Sequence, residues 1–341
     1  MGTTMSEHDR TDSTDTGTRS IGYLRRGGRL LRDHGLWLTA VLSVGVFLAL
    51  FLLGDASRVA EAIADVDAGT LPAVFALVSS GYLIRFGKWA YYLRELGIDV
   101  PLRSSALTFF SGLMLVVTPG KVGEVWKAWF LRDIEGVPVS PTTAVVGAER
   151  VTDLLALTGL AALGVLLYDR SATLLAIMVI AFLGGLALLQ WRRVCLALIE
   201  RSRALPVVGG YAEGIESLYE GAYALFRPRP LLVATAISLL AWGLEGVALW
   251  LVLESLAGGA SVVEGVFVFG LGSVVGALSL LPGGLAATEA SMVGTLLALG
   301  FSSSIAAAAT LVIRVGTLWY GALIGVFVFG LYRFASRNEK R

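Results

Sequence analysis

Two apolar stretches of this sequence, 104–118 and 262–281, each run into a proline-glycine break, at Pro119-Gly120 and at Pro282-Gly283-Gly284. After each break a shorter helical pattern follows that carries a glutamate, Glu124 or Glu289. Length decides what the first break can be. At roughly 1.5 Å per residue its arms, 104–118 and 121–131, come to about 22 Å and about 16 Å. Neither crosses a hydrocarbon core of about 30 Å unaided. A re-entrant hairpin is the natural solution, with Pro119 and Gly120 partway into the membrane. The second break stays open, because 262–281 is long enough to span alone.

A membrane is the right setting for such breaks. Of 341 residues, 56% are hydrophobic and 16% charged, whereas a soluble domain carries about a quarter charged residues. Six further segments have the length of a span: 36–53, 71–92, 141–167, 172–191, 230–256 and 305–332. Basic residues test the topology. If both broken segments return to the side they entered, the arginines of 19–32, 94, 103, 132, 192–229 and 333–341, with Lys340, share one face. Only Arg58 and Arg170 fall on the other. A single crossing at the first break would move the arginines of 192–229 outside. Two full crossings would give the same parity, so the count supports the return and not its depth.

The sequence therefore predicts an all-α polytopic membrane protein of about six full spans and two hairpins. It reads as an inverted repeat of three spans plus one re-entrant broken hairpin per half, with halves at about 36–168 and 172–332. Three crossings per half is an odd number, so the second half is inverted and the hairpins enter from opposite faces, with tips that can meet near the midplane. Transporters often use this plan, with the substrate at the repeat interface. Residues 1–20 are polar, lack aromatics and are expected to be disordered. Arg25-Arg26 before an apolar run reads as a retained signal anchor. The membrane domain covers 21–332, and 333–341 is a short tail. The segment 192–229 reads as a cytoplasmic connector with an amphipathic helix (Tyr211, Ile215, Leu218, Tyr219, Ala222) on the membrane surface. Both termini are expected in the cytoplasm, and the membrane is expected to be the plasma membrane.

Several function classes drop out. Lone Cys195 excludes an internal disulfide, and the two histidines, His8 and His34, leave no zinc motif. No phosphate-binding G-x-x-x-x-G-K-[ST] loop is present, and G-L-G-S-V-V-G at 270–276 has the spacing of small-residue helix packing rather than of a dinucleotide site. No cofactor and no nucleic acid are expected.

What remains is charge inside spans. Each such residue costs at least ~2.5–3.5 kcal/mol on insertion, so it needs a partner or water. The densest group is Glu149, Arg150 and Asp153 within 141–167. Glu149 and Asp153 share a helix face, and Arg150 can pair with Asp153 one turn on. Arg314 lies well inside the last span, and Glu245 sits mid-span in 230–256. Lys88 is expected to snorkel to the interface, while Arg85 either snorkels or lines a cavity. Glu149–Arg150–Asp153 reads either as a structural lock or as part of a site. Glu124 and Glu289 are either partners for the bases or substrate groups, and Trp126 and Trp129 are expected as interface anchors. A helix N-terminus at the Pro119-Gly120 tip favours an anion, with Lys121 and Lys127 in support. Glu124 balances Lys127 or Arg150, or receives a cationic headgroup.

T-P-G-K-V-G-E-V-W-K-A at 118–128, E-R-V-T-D at 149–153, L-P-G-G-L-A-A-T-E-A-S at 281–291 and the late Arg314 stand in the order seen in the lysylphosphatidylglycerol synthase transmembrane region, or flippase-like, family. The chain resembles that family over roughly 36–332. The resemblance implies lipid translocation between leaflets. No aminoacyltransferase domain follows Arg341 and no glycosyltransferase domain precedes Ile21, so synthase activity is not expected. The expected ligand is a membrane lipid or polyprenyl-phosphate headgroup held between the tips. Lys121, Lys127, Arg150 and Arg314 would meet phosphate, and Glu124, Asp153 and Glu289 would organise those bases or bind a cationic group. Glu149, Pro119, Gly120, Pro282 and Gly283 complete the candidate site. The rivals are a non-transporting partner of a separate synthase or glycosyltransferase and an intramembrane lipid-headgroup enzyme.

Overall fold

The computed structural model describes residues 43–118, 123–168, 180, 184, 190–202 and 212–338. Every regular element among them is helical. The polar tail 1–20, the start of the first span, the tip residues Pro119, Gly120 and Lys121, and most of 172–191 lie outside the described residues.

Helix α1, Ser43–Leu53, ends at Gly54, and α2, Ala56–Ala64, leaves it at 96°. α3 runs Thr70–Glu95. α4 (Leu102–Gly112) continues in a 3-10 turn to Leu115, and α5 (Trp126–Glu135) comes back beside it. α6 spans Val139–Tyr168; α7 (Arg192–Ser202) and α8 (Ala212–Leu225) form the connector. α9 runs Pro228–Ala257, with proline in its first turn where the missing N–H is harmless. α10 (Val262–Leu278) opens with a capping box, Ser261 and Glu264 each bonding the other's backbone N–H. α11 is Ala287–Ala298, α12 is Ser303–Arg314, and α13 is Tyr320–Asn338 after a π turn at Val315–Trp319.

Three helices, Thr70–Glu95, Pro228–Ala257 and Ser303–Phe334, are long and apolar enough to cross a membrane, and the bent pair α1–α2 makes a fourth if it is one span. α6 has the length as well, at about 45 Å for its 30 residues, and carries Glu149, Arg150 and Asp153 in its middle. Six spans were expected; the described residues establish fewer, and 172–191 cannot be counted among them.

Both broken segments fold back as hairpins. In the first, Gly112 on α4 faces the Lys127 side chain on α5, and the Ser104 hydroxyl donates to the Glu135 carboxylate at the base. Across the tip Gly123 N–H donates to Thr118 Oγ1 at 3.0 Å. In the second, Gly272 lies against Met292 and Gly276 against Thr288, an antiparallel register that α10 and α11 can share only by doubling back. The reversal uses left-handed backbone at Gly283 (φ 60°) and Gly284 (φ 66°), which glycine adopts without a Cβ penalty. The question that length left open for 262–281 is thus decided for a hairpin. The two tips touch: Val117 from the first packs with Leu285 from the second and Leu318 from the last span.

The largest apolar core joins α3, α6, α9, α10, α11 and α12, and a second joins α3, α4, α5, α6 and α8. Of the connector's apolar positions, Tyr211 lies outside the described residues and the others fall on α8. Tyr219 is buried and Ala222 packs into the second core, while Ile215 and Leu218 stay exposed. Its apolar face is therefore covered partly by protein, along α6, and not only by a membrane surface. Trp126 stacks on Phe130 and meets Phe329 of α13 edge-on, tying the first hairpin to the last helix. Trp129 is half-exposed with Arg132 beside it, as an interface anchor would be.

Candidate functional site

Between the hairpin tips and the middles of α3, α6 and α9 lies a cavity of about 310 Å³. The side chains around it follow from where each helix was interrupted. Glu124 sits in the 3-10 turn that leads from the first tip, and Lys127 in the first turn of α5. Both therefore point back toward the reversal. Glu149, Arg150 and Asp153 occupy adjacent turns of α6 opposite them.

The ionic contacts form one network and two satellites. Lys127 Nζ donates to Glu149 Oε2 at 2.7 Å, stands 3.7 Å from Glu124, and has the Trp89 and Phe109 rings at 4.7 and 5.4 Å. Arg150 bridges Glu124 at 3.3 Å and Asp153 at 3.1 Å, the one-turn pairing that the sequence spacing predicts. Asp153 also accepts from Lys88 at 2.6 Å and from the Ser238 hydroxyl at 3.0 Å. On one flank Arg85 pairs with Glu245 and lies over the Trp242 ring at 4.3 Å. On the other, Arg314 Nε donates to Glu289 at 2.6 Å and its terminal nitrogen to the Gly283 carbonyl at 2.8 Å.

One expectation is corrected. Lys88 does not snorkel: it is 0% exposed and its ammonium also meets Ser238 Oγ at 2.8 Å and Thr152 Oγ1 at 3.3 Å. α3 extends to Glu95, which leaves Lys88 two turns inside the helix with carboxylate and hydroxyl partners closer than the interface. Arg85 lines the cavity. Among the other candidates, Glu124, Lys127, Glu149, Arg150, Asp153, Gly283 and Arg314 all reach the cavity wall, whereas Pro282 and Glu289 are buried behind it. Pro119, Gly120 and Lys121 are outside the described residues. The site also includes residues that the sequence did not single out, Ser238 on Asp153 and Lys88, and Tyr82, Trp242 and Thr288 on the cavity wall. No local signal marks them, because each matters only through a partner on another helix.

The arrangement has two chemical properties. Among the described residues it balances, Arg85, Lys88, Lys127, Arg150 and Arg314 against Glu124, Glu149, Asp153, Glu245 and Glu289. Mutual pairing is what lets so many charges stay buried, since an unpaired one would cost several kcal/mol or about that order. The cations also differ in access. The Arg150 side chain is 32% exposed, against 12% for Arg85 and 9% for Arg314, so Arg150 is the guanidinium most open to a ligand.

A family model described as the lysylphosphatidylglycerol synthase TM region matches residues 37–325. A UPF0104 membrane protein of Methanothermobacter thermautotrophicus (strain Delta H) is 26% identical over 329 residues, covering 88% of this chain and 94% of its own length. A second UPF0104 membrane protein of the same organism is 26% identical over 278 residues, 74% of this chain and 82% of its own.

Proposed function

The chain belongs to the lysylphosphatidylglycerol synthase transmembrane-region family, and from that membership and the cavity's chemistry we propose that it moves a lipid or polyprenyl-linked headgroup between leaflets. The observation that carries the reading is the ionic cluster lined up along a cavity between two hairpin tips. A lipid headgroup needs fixed charges in mid-membrane, while its tails need an apolar way out. Arg150 is the first contact for a phosphate, because its guanidinium is the most open and charge-assisted hydrogen bonds to phosphate suit its fork. Arg314 is the second, at the far tip. Leu278, Leu280 and Leu281, exposed on the second hairpin at the cavity's edge, give the tails an apolar flank.

Movement follows from the same layout. α3, the first hairpin and α6 are followed along the chain by α9, the second hairpin and α12–α13, and we read these as inverted halves that rock about the shared cavity. Balanced charge suits that motion. When a phosphate takes Arg150, a carboxylate it releases is still beside Lys127 or Lys88. The arginine distribution supports a reading with both termini on the cytoplasmic side, and the membrane is read as the plasma membrane.

The test is reconstitution into liposomes made from native lipid extract, with fluorescent lipid analogues and a membrane-impermeant quencher. Faster loss of inner-leaflet fluorescence than in empty liposomes supports the reading, with Arg150→Gln at or near the empty-liposome rate. Equal rates with every phospholipid and polyprenyl-phosphate class in the extract would sink it.

A further inference from the structure

Arg314 stands at the start of an irregular turn that α3 contacts. Directly after Arg314 the helix widens into the π turn Val315–Trp319 before α13 resumes. A π turn breaks the regular hydrogen-bond register, and such turns recur where a side chain has to be set for function. Here the Tyr82 hydroxyl donates to the Thr317 carbonyl at 2.6 Å, away from solvent. Gly321 makes the approach possible: a Cβ there would sit 2.5 Å from the Tyr82 oxygen. The same face of α3 grips the next residue as well, through Phe75 edge-on to the Tyr320 ring and Ser79 at 2.9 Å from the Tyr320 hydroxyl. Positions 75, 79 and 82 lie along one helix face.

Tyr82 has a second face to the site. Its ring lies 5.0 Å from the Arg85 guanidinium, which pairs with Glu245. One side chain thus touches the Arg85–Glu245 flank with its ring and the turn that carries Arg314 with its hydroxyl. Arg314 in turn donates to Glu289 and to the Gly283 carbonyl at the second tip. That tip depends on being held. Besides its glycines it places Leu280 (φ 56°) and Ala286 (φ 70°) in backbone regions that cost a side-chain-bearing residue about 1 kcal/mol or more.

We propose that Tyr82 is a positioning residue for Arg314: its hydroxyl fixes the π turn, so the guanidinium is presented to the second hairpin tip and to the cavity in one orientation. An anion drawn to Arg314 competes with Glu289 and the Gly283 carbonyl for the same donors. Tyr82 thereby links ligand capture at Arg314 to release of the tip. Only this last link rests on the transport reading; the positioning role does not.

The experiment places a single thiol at the tip, Leu285→Cys in a Cys195→Ser background, since Leu285 is 0% exposed against Val117 and Leu318 and reacts only when the tip opens. Its rate of reaction with a maleimide is measured for the parent, Tyr82→Phe, Arg314→Gln and the double variant. Tyr82→Phe removes one hydroxyl and keeps the ring over Arg85. The loss of one buried hydrogen bond should quicken labelling about three- to tenfold. Arg314→Gln should quicken it at least as much, and the double variant should match Arg314→Gln alone. Ser80→Ala, which removes a hydroxyl bonded only to its own helix at Ala76, should leave the rate unchanged. Parent-like labelling of Tyr82→Phe overturns the proposal, and so does a double variant whose effect is the product of the two singles, because Tyr82 would then act independently of Arg314. In liposomes, Tyr82→Phe should slow lipid movement with the same non-additivity. If the parent moves no lipid, the transport reading fails while the labelling result still decides the role of Tyr82.

Discussion

Lys88 and Asp153 meet at 2.6 Å with side chains 0% and 5% exposed, a buried ion pair between α3 and α6 whose acid reaches the cavity wall. Such a pair is weak evidence of net stability, but breaking it leaves a bare charge in the core. Lys88→Met is therefore expected to destabilise the protein by about 3 kcal/mol, at the low end for such changes because Asp153 keeps Arg150 and Ser238. Lys88→Met with Asp153→Asn should recover part of that loss. Thermal unfolding in detergent checks both, and a double variant worse than the single would contradict the pairing.

Arg85 tests whether shape matters beyond charge. Its guanidinium lies between the Trp242 and Tyr82 rings, at 4.3 and 5.0 Å, and pairs with Glu245. Lysine keeps the charge but loses the planar stack and the fork. Arg85→Lys should lower stability by about 1–2 kcal/mol, while Trp242→Leu in the Arg85→Lys background should cost less than Trp242→Leu alone. Additive losses in the cycle would show that the stack is not a working contact.

How much of this was legible in the sequence differs by element. Pro119 and Pro282 announced both breaks, and arm length alone made the first a hairpin, because about 22 Å cannot span. The second was undecided by length, and what decides it is tertiary: Gly272 and Gly276 let α11 close onto α10 through Met292 and Thr288. The one-turn spacing of Arg150 and Asp153 told their pairing, since partners on one helix are fixed by its period. Lys88 was misread because its partners Asp153 and Ser238 are 65 and 150 residues away. Sequence distance from a helix end says how far a lysine must reach for water, and says nothing of an acid waiting on the next helix.

The strained backbone at the second tip gives a sign-definite prediction. Ala286 is exposed and adopts φ 70°, ψ −48°, a region that glycine enters freely and that strains alanine. Ala286→Gly should stabilise the protein by up to about 1 kcal/mol, and Ala286→Val should destabilise it by at least that much. The opposite order in unfolding midpoints would mean that the tip does not hold this conformation.

A pH effect is expected from the connector. Burial of Tyr219 on α8, with the Cys195 thiol beside it, pushes the phenol up from 10.0 to about 12. For a group whose folded value is raised, the stabilising contribution is complete below the unfolded value and is lost as pH climbs toward the folded one. Between about pH 10 and about pH 12 the parent should therefore lose stability that Tyr219→Phe does not lose, since phenylalanine has no proton to give up. Unfolding midpoints taken every half unit across that window decide it. Parallel curves for the two proteins would mean that the phenol ionises as freely in the folded connector as in the unfolded chain, and the burial of Tyr219 beside Cys195 of α7 would have to be given up.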